Sequence, residues 1–109
     1  RAEYVQAFAG DARYQQLAKA DQERWQNFSR SLADYHYDQA EEGQAERQVA
    51  SFRLAGGYYS QLAGRSSQKG DVLRLAGDAF LQAGDHTDAF AHYQRAAYDT
   101  DHENKEYPG

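Results

Sequence analysis

The side chains that could bind a metal ion lie toward the C-terminus of the chain. Asp88 and His92 are four residues apart, so they would share one face of a helix. His86 lies close by, and His102 follows among acidic residues. Imidazole and carboxylate groups are common protein ligands of zinc, but the chain contains no HExxH motif. We interpret these side chains as solvated surface residues and predict no metal ion or other cofactor.

Two further groups of residues could support catalysis, and neither has the required pattern. Lys69 lies in the glycine-bounded loop 64–70, but the spacing differs from that of a phosphate-binding loop and no strand precedes it. Glu41 and Glu42 form a carboxylate pair at the end of a predicted helix, where we expect both to be solvated. The chain has no Gly-x-Ser-x-Gly motif and no dinucleotide-binding fingerprint. We therefore predict that the protein is not an enzyme.

Composition excludes several classes of partner. The net charge of -5 and the absence of a basic stripe argue against nucleic acid. No apolar run approaches the roughly 20 residues that a membrane span requires. Cysteine is absent, which excludes disulfides and cysteine-based zinc sites. The chain lacks methionine and begins at Arg1, so we interpret it as part of a longer protein. Its mean hydropathy of -1.01 favours a helical stack over a thick single core.

The pattern of the chain predicts an all-α fold. The one proline is Pro108, Val, Ile and Thr are scarce, and no segment alternates with period two. A helix break is expected at Gly10, followed by a capping Asp11. Apolar residues then recur every three or four positions from 11 to 41. This segment forms either one long helix or two, and we favour a break near Ala20–Asp21.

Glycines mark the remaining helix boundaries. Gly43 ends the second region, and an apolar stripe at 45–63 predicts the next helix. Gly56 and Gly57 lie inside that stripe, and each weakens a helix by about 1 kcal/mol relative to alanine. We therefore expect another helix to cross closely there. After the loop 64–70, the sequence predicts a helix capped by Asp71 and ending near Ala83, a turn at Gly84–Asp85, a helix from about Thr87 to Tyr98, and a polar tail at 99–109.

The last two predicted helices carry small and large residues at regular positions. In the first, Leu73, Gly77 and Phe80 alternate large, small and aromatic. The second has the small, aromatic, small series Ala89, Tyr93 and Ala96, and Gly84 stands at the turn between them. This pattern resembles one tetratricopeptide repeat (TPR) at about 70–103, with Asp101 where the family usually has proline.

An earlier segment matches the same template less well. Leu32, Gly43, Phe52 and Ala55 fall on hallmark positions, whereas Gln39 and Gln48 do not. We interpret this segment as a degenerate repeat on which the clear repeat stacks, because one repeat alone cannot bury both of its faces. The expected architecture is an antiparallel helix-turn-helix stack of about five helices, forming a single domain over 1–98.

The resemblance implies a right-handed superhelix whose concave groove binds a protein or peptide. The groove positions of the clear repeat are Asp71, Arg74, Asp78, Leu81 and Gln82. TPR domains that bind chaperone tails clamp a terminal carboxylate with a basic residue and an asparagine. Arg74 could serve as the basic residue, but Asp78 replaces the asparagine and would repel a carboxylate. We therefore expect an adaptor or scaffold module that binds some other protein segment.

Adjacent tyrosines point to a second surface. Tyr58 and Tyr59 cannot share one helix face, so one of them should point outward. For the same reason, Tyr35, His36 and Tyr37 cannot all point inward. Exposed tyrosines are enriched at protein interfaces. We predict that Tyr37 and Tyr58 contribute to a partner-binding or self-association surface. The alternative to an adaptor is thus a self-association domain in which a second copy closes the incomplete stack and forms a homo-oligomer.

Overall fold

The computed structural model describes residues 2–43 and 45–106, with side chains at 2–43 and 47–98. The fold is all-α, as the sequence predicts, and no strand occurs in the described ranges. Six helices follow one another: α1 Ala2–Ala7, α2 Asp11–Gln15, α3 Lys19–Glu42, α4 Ala45–Ala63, α5 Lys69–Ala83 and α6 His86–Glu106. Consecutive helices from α3 to α6 pack against each other, and α1 packs on α3.

Three of the predicted helix starts are wrong by one to a few residues. Asp11 was expected to cap α2, but the N-cap is Gly10 and Asp11 is the first residue of the helix. The break in 11–41 lies at Gln16–Ala18, before the predicted position at Ala20–Asp21, because Ala18 is extended and α3 begins at Lys19. Asp21 lies in the first turn of α3, where its charge favours the positive end of the helix dipole. Similarly, α5 begins at Lys69, so Asp71 is a residue of its first turn and does not cap it.

The turn between α5 and α6 forms at the predicted place. Gly84 adopts a left-handed conformation with φ of 85°, which a residue with a Cβ rarely adopts. Its N–H donates to the carbonyl of Leu81 over 3.0 Å, and the N–H of Asp85 donates to the carbonyl of Phe80 over 2.9 Å. These two bonds form a Schellman motif that ends α5 cleanly.

The last helix is longer than the sequence predicts. It begins at His86 and continues past the expected end at Tyr98, so the backbone of 99–106 is helical where a polar tail was expected. Residues 107–109, which include Pro108, lie outside the described residues.

Small residues allow the helices of the stack to approach closely. Gly77, Ala89 and Ala96 are buried, as the repeat pattern predicts. A Cβ added at Gly77 would lie 2.7 Å from the ring of Tyr93, so α6 packs directly on this glycine. In the same way, a Cβ at Gly56 would lie 2.9 Å from the ring of Phe80.

The prediction of close packing at the two adjacent glycines of α4 is confirmed at one of them only. Gly56 is buried beneath the Phe80 ring of α5. An added Cβ at Gly57 would meet nothing within 4 Å, so no helix of the described chain crosses there. Because α5 contacts only one face of α4, Gly57, which is next to Gly56 in sequence, faces away from α5.

The ends of α3 and α5 lie on the same side of α4. Ala40, near the end of α3, and Ala83, at the end of α5, both pack in a cluster with Phe52 of α4. The helices therefore alternate in direction along the stack, and the C-terminal turns of α3 and α5 are brought together.

None of the described helices combines the length and apolar character that crossing a membrane requires.

Candidate protein-interaction surface

The predicted groove residues share one face of α5. Arg74, Leu81 and Gln82 are exposed and Asp78 is half-buried. The opposite face of the helix is buried, and it includes Leu73, Ala76 and Ala79. Asp71 is also exposed, and its carboxylate accepts a hydrogen bond from Arg74 over 2.6 Å. The structure thus brings the predicted set together, with the guanidinium of Arg74 already engaged by its neighbour on the helix.

Asp78 joins α5 to α6. The hydroxyl of Tyr93 donates to its carboxylate over 2.5 Å. Burial and this hydrogen bond to a charged acceptor raise the pKa of Tyr93 to about 12. Because the carboxylate holds the ring in place over Gly77, this contact orients the side chain that separates the two helices.

Asp78 also lies close to the end of α3. Burial, followed by the charges of Glu41 and Asp78, raises the pKa of Tyr37. Tyr37 and Glu41 are four residues apart and share a face of α3, and Tyr37 packs on the cluster that contains Ala83 of α5. Two carboxylates and two tyrosine hydroxyls from three helices therefore lie in one region of the surface. We call this group the acidic rim, and it consists of Tyr37, Glu41, Asp78 and Tyr93.

An apolar groove adjoins the acidic rim. Its volume is about 530 Å³, and it is lined by Leu81 from α5 and by residues of the first turns of α6. Two large apolar side chains are exposed here, Leu81 at 45% and Phe90 at 64%. We call this the terminal groove, and its lining consists of Leu81, His86, Thr87, Ala89, Phe90 and Tyr93.

Phe90 was not among the residues predicted from the sequence. It follows the buried hallmark Ala89 directly, so it turns outward as Ala89 turns inward. The signal that could have identified it is a large aromatic residue directly next to a small buried position.

The prediction that Tyr37 is an exposed contact residue is wrong. Tyr37 is half-buried and packs edge-on against Phe52, with the ring centroids 5.1 Å apart. It lies four residues after Ala33 and three before Ala40, which are both buried, so it belongs to the inward stripe of α3. The exposed aromatic of this segment is Tyr35, at 57%. Tyr37 reaches the candidate surface only through its position in the acidic rim.

The two adjacent tyrosines of α4 differ in burial, as expected from their different helix faces. Tyr59 is buried and its hydroxyl donates to Asp34 on α3. Tyr58 is half-buried at the edge of the core and stacks on His36 of α3, with centroids 5.7 Å apart and planes inclined by 13°. It lines a second, shallower groove on the outer side of α4. We call this the α4 groove, and its lining consists of Ala50, Arg53, Leu54, Gly57, Tyr58 and Gln61.

The histidine considered as a metal ligand has both ring nitrogens engaged. Nδ1 of His92 lies 2.6 Å from the carbonyl oxygen of Asp88, and Nε2 lies 2.8 Å from Oγ of Ser60. A carbonyl oxygen only accepts hydrogen bonds, so Nδ1 donates to Asp88, and Nε2 is engaged by the serine hydroxyl. The side chain of His102 lies outside the described residues. Within those residues, no group of three or more His, Asp or Glu could hold a metal ion.

Comparison of the chain with protein-family models, with curated proteins and with solved structures finds no match.

Proposed function

We propose that this chain is a TPR-like helical module that binds a protein or peptide partner in the terminal groove and along the adjoining face of α5. The observation that carries this proposal is the pair Leu81 and Phe90. These two side chains come from different helices and flank one apolar groove while remaining about half or more exposed. Large apolar side chains that converge on a groove beside a polar face are typical of interaction sites.

The packing of the hallmark residues supports the TPR-like part of the proposal. Each of two glycines receives an aromatic ring from the neighbouring helix, Gly77 from Tyr93 and Gly56 from Phe80. The α3–α4 and α5–α6 pairs thereby stack as two successive hairpins. Stacked hairpins of this kind leave a face of the last unit uncovered, and such faces are used for binding.

The terminal groove suits an amphipathic segment that inserts one or two apolar side chains. Its volume of about 530 Å³ is at the scale of pockets that hold several side chains. A short helix would present anchors at three- and four-residue spacing to Leu81 and Phe90. We propose binding without catalysis, since the Tyr93 hydroxyl beside the groove is already hydrogen-bonded to the Asp78 carboxylate.

The test compares two double variants of the intact protein. Leu81→Ala with Phe90→Ala removes the apolar walls of the terminal groove. Tyr35→Ala with Val49→Ala removes exposed apolar side chains outside both grooves as a matched control. Partners captured with the wild-type protein are identified by mass spectrometry and purified, and their Kd is measured by calorimetry.

We expect the groove variant to weaken the Kd by at least about tenfold, because exposed anchors at the centre of an interface carry most of its energy. The control should change the Kd by less than about twofold. A purified partner that binds both variants as it binds the wild type would contradict the proposal.

The α4 groove favours a second candidate function, self-association. Gly57 leaves its outer surface open, and Leu54 and Tyr58 flank it. Residues 47–63 contain no Asp or Glu, whereas the whole chain carries a net charge of -5. Two copies that meet along this face therefore bring fewer like charges together than along the acidic rim. We propose that a second copy is the occupant of this groove.

Sedimentation velocity over a range of protein concentrations tests this candidate. A dimer that Leu54→Glu dissociates, and that Leu81→Glu leaves intact, is the expected result. A sedimentation coefficient that stays at the monomer value across the whole range would exclude self-association.

A further inference from the structure

None of the described basic side chains forms an ion pair with a carboxylate of the acidic rim. Among the described side chains, ion pairs join Arg74 to Asp71 at 2.6 Å and Arg53 to Asp85 at 2.7 Å. None of the described ion pairs involves Glu41 or Asp78. The Tyr93 hydroxyl donates a hydrogen bond to Asp78, but it brings no positive charge.

Two helix ends add to this negative potential. The C-terminal turns of α3 and α5 lie together around Phe52, through Ala40 and Ala83. Neither of these last turns contains a basic residue. The exposed carbonyl groups at the end of a helix amount to about half a negative charge, which a lysine or arginine near the last turn usually offsets. Among the described residues, neither last turn supplies such a cation itself.

The terminal groove lies directly beside this region. Leu81 is three residues after Asp78 on α5, so the two share a helix face. Tyr93 belongs to both surfaces, since its ring lines the groove and its hydroxyl contacts Asp78. An apolar side chain held between Leu81 and Phe90 would therefore place the neighbouring residues of its own chain against the acidic rim.

We infer that the segment bound in the terminal groove carries lysine or arginine next to its apolar anchor, so that the anchor fills the groove while the cation contacts Glu41 and Asp78. This inference rests on the proposed function, because it specifies the chemistry of the partner at the same site. An acidic segment would meet two carboxylates and two helix C-termini, and a neutral one would leave them uncompensated.

A displayed library of random peptides of roughly 12 residues provides the probe. The library is selected on the wild-type protein, and peptides are kept when the variant Leu81→Ala with Phe90→Ala no longer binds them. Their Kd is measured by fluorescence anisotropy at about 50 and about 300 mM NaCl. A second variant, Glu41→Gln with Asp78→Asn, neutralises the rim while each amide oxygen still accepts a hydrogen bond. Glu3→Gln with Glu23→Gln removes the same amount of charge from exposed positions on α1 and early α3 as a control.

The expected peptides combine Lys or Arg with an apolar anchor. Their Kd should weaken by about tenfold in the rim variant and at the higher salt concentration, and by less than about twofold in the control. Groove-dependent peptides without Lys or Arg, or with a Kd that the rim variant leaves unchanged, would overturn the inference and leave the proposed function standing. If no selected peptide depended on Leu81 and Phe90, both would be overturned.

Discussion

The guanidinium of Arg65 lies 4.4 Å from the ring centroid of Trp25, deep in the N-terminal half of the molecule. The same group lies 4.0 Å from the ring centroid of Tyr14, so it is held between two aromatic side chains. It also donates hydrogen bonds to the carbonyl groups of Phe8 and Ala9 over 2.8 Å. Arg65 lies in the loop between α4 and α5, and these contacts hold the α1–α2 segment against the helical stack. Because the same contacts enclose the side chain, it is only 7% exposed.

We expect Arg65→Ala to lower the free energy of unfolding by about 2 to 3 kcal/mol, because it removes the ring contacts and leaves the Phe8 carbonyl without its donor. Arg24→Ala serves as the control, since Arg24 is exposed and makes only a 4.0 Å ion pair with Asp21. That change should cost less than about 0.5 kcal/mol. Urea denaturation measures both, and equal effects would show that Arg65 has no special structural role.

The adjacent glycines of α4 should respond to alanine with opposite signs. Gly57→Ala meets open space, so it should raise the free energy of unfolding by about 1 kcal/mol through higher helix propensity. Gly56→Ala gains the same propensity but places a Cβ 2.9 Å from the Phe80 ring. We expect the strain to exceed the gain and to lower stability by about 1 kcal/mol. Thermal and urea denaturation of the two variants check this, and a stabilised Gly56→Ala protein would refute the packing at that position.

The buried hydroxyl of Ser29 should be dispensable for stability. Its Oγ is fully buried in α3 and has no hydrogen-bond partner among the described residues. Ser29→Ala removes this unsatisfied group, so it should raise the free energy of unfolding by about 1 kcal/mol. Ser31→Ala, at an exposed position of the same helix, isolates the contribution of helix propensity, which is about 0.5 kcal/mol. A loss of stability in Ser29→Ala would indicate that the hydroxyl is satisfied.

Stability should fall in alkaline solution. Burial and the hydrogen bonds to Asp34 and Asp78 raise the pKa of Tyr59 and bring that of Tyr93 to about 12. The folded state therefore favours the neutral phenols. Their contribution is complete below the unfolded pKa of about 10 and is lost as the pH rises toward the folded values. Urea midpoints between about pH 8 and about pH 11.5 should decline.

The decline should be shallower in Tyr93→Phe, which has no phenol to ionise at this position. Tyr35→Phe is the matched control, because Tyr35 is exposed and the change leaves its ring in place. If the two variants showed the same pH dependence as the wild type, Tyr93 would not contribute to the alkaline loss.

Truncation of the two large apolar side chains of the terminal groove should leave the stability of the fold nearly unchanged. Leu81 and Phe90 are largely exposed, so Leu81→Ala with Phe90→Ala should change the free energy of unfolding by less than about 1 kcal/mol. Leu73→Ala, in the buried face of the same helix, should cost about 2 to 5 kcal/mol. A groove variant that unfolds as readily as Leu73→Ala would place these two side chains in the core.

Much of the fold could be predicted from residue types and spacing. Apolar residues at three- and four-residue intervals indicated the helices. Gly84 indicated a turn, and in the structure it does form one by adopting the left-handed conformation. Helix starts were less predictable. Asp21 and Asp71 resemble caps in the sequence, but a carboxylate in the first turn also favours the dipole, so either position is compatible with local energetics.

The candidate site was predicted in part. The spacing of Arg74, Asp78, Leu81 and Gln82 places them on one helix face whatever surrounds them, and the structure agrees. Tyr37 was assigned to the surface wrongly, because three consecutive aromatic rings leave the helix phase ambiguous until Phe52 is known to pack on one of them. Phe90 was not predicted, although the neighbouring Ala89 belongs to the inward stripe and so indicates that Phe90 turns outward.

The amino-acid order alone determined which segments become helices and which residues share a face, since these depend on interactions within a few positions of the chain. Tertiary structure alone decided that Arg65 lies between Tyr14 and Trp25, that Asp78 holds Tyr93, and that the ends of α3 and α5 meet around Phe52. These contacts join residues that are distant in sequence. They form only where helices pack at a particular depth and rotation, which no local pattern specifies.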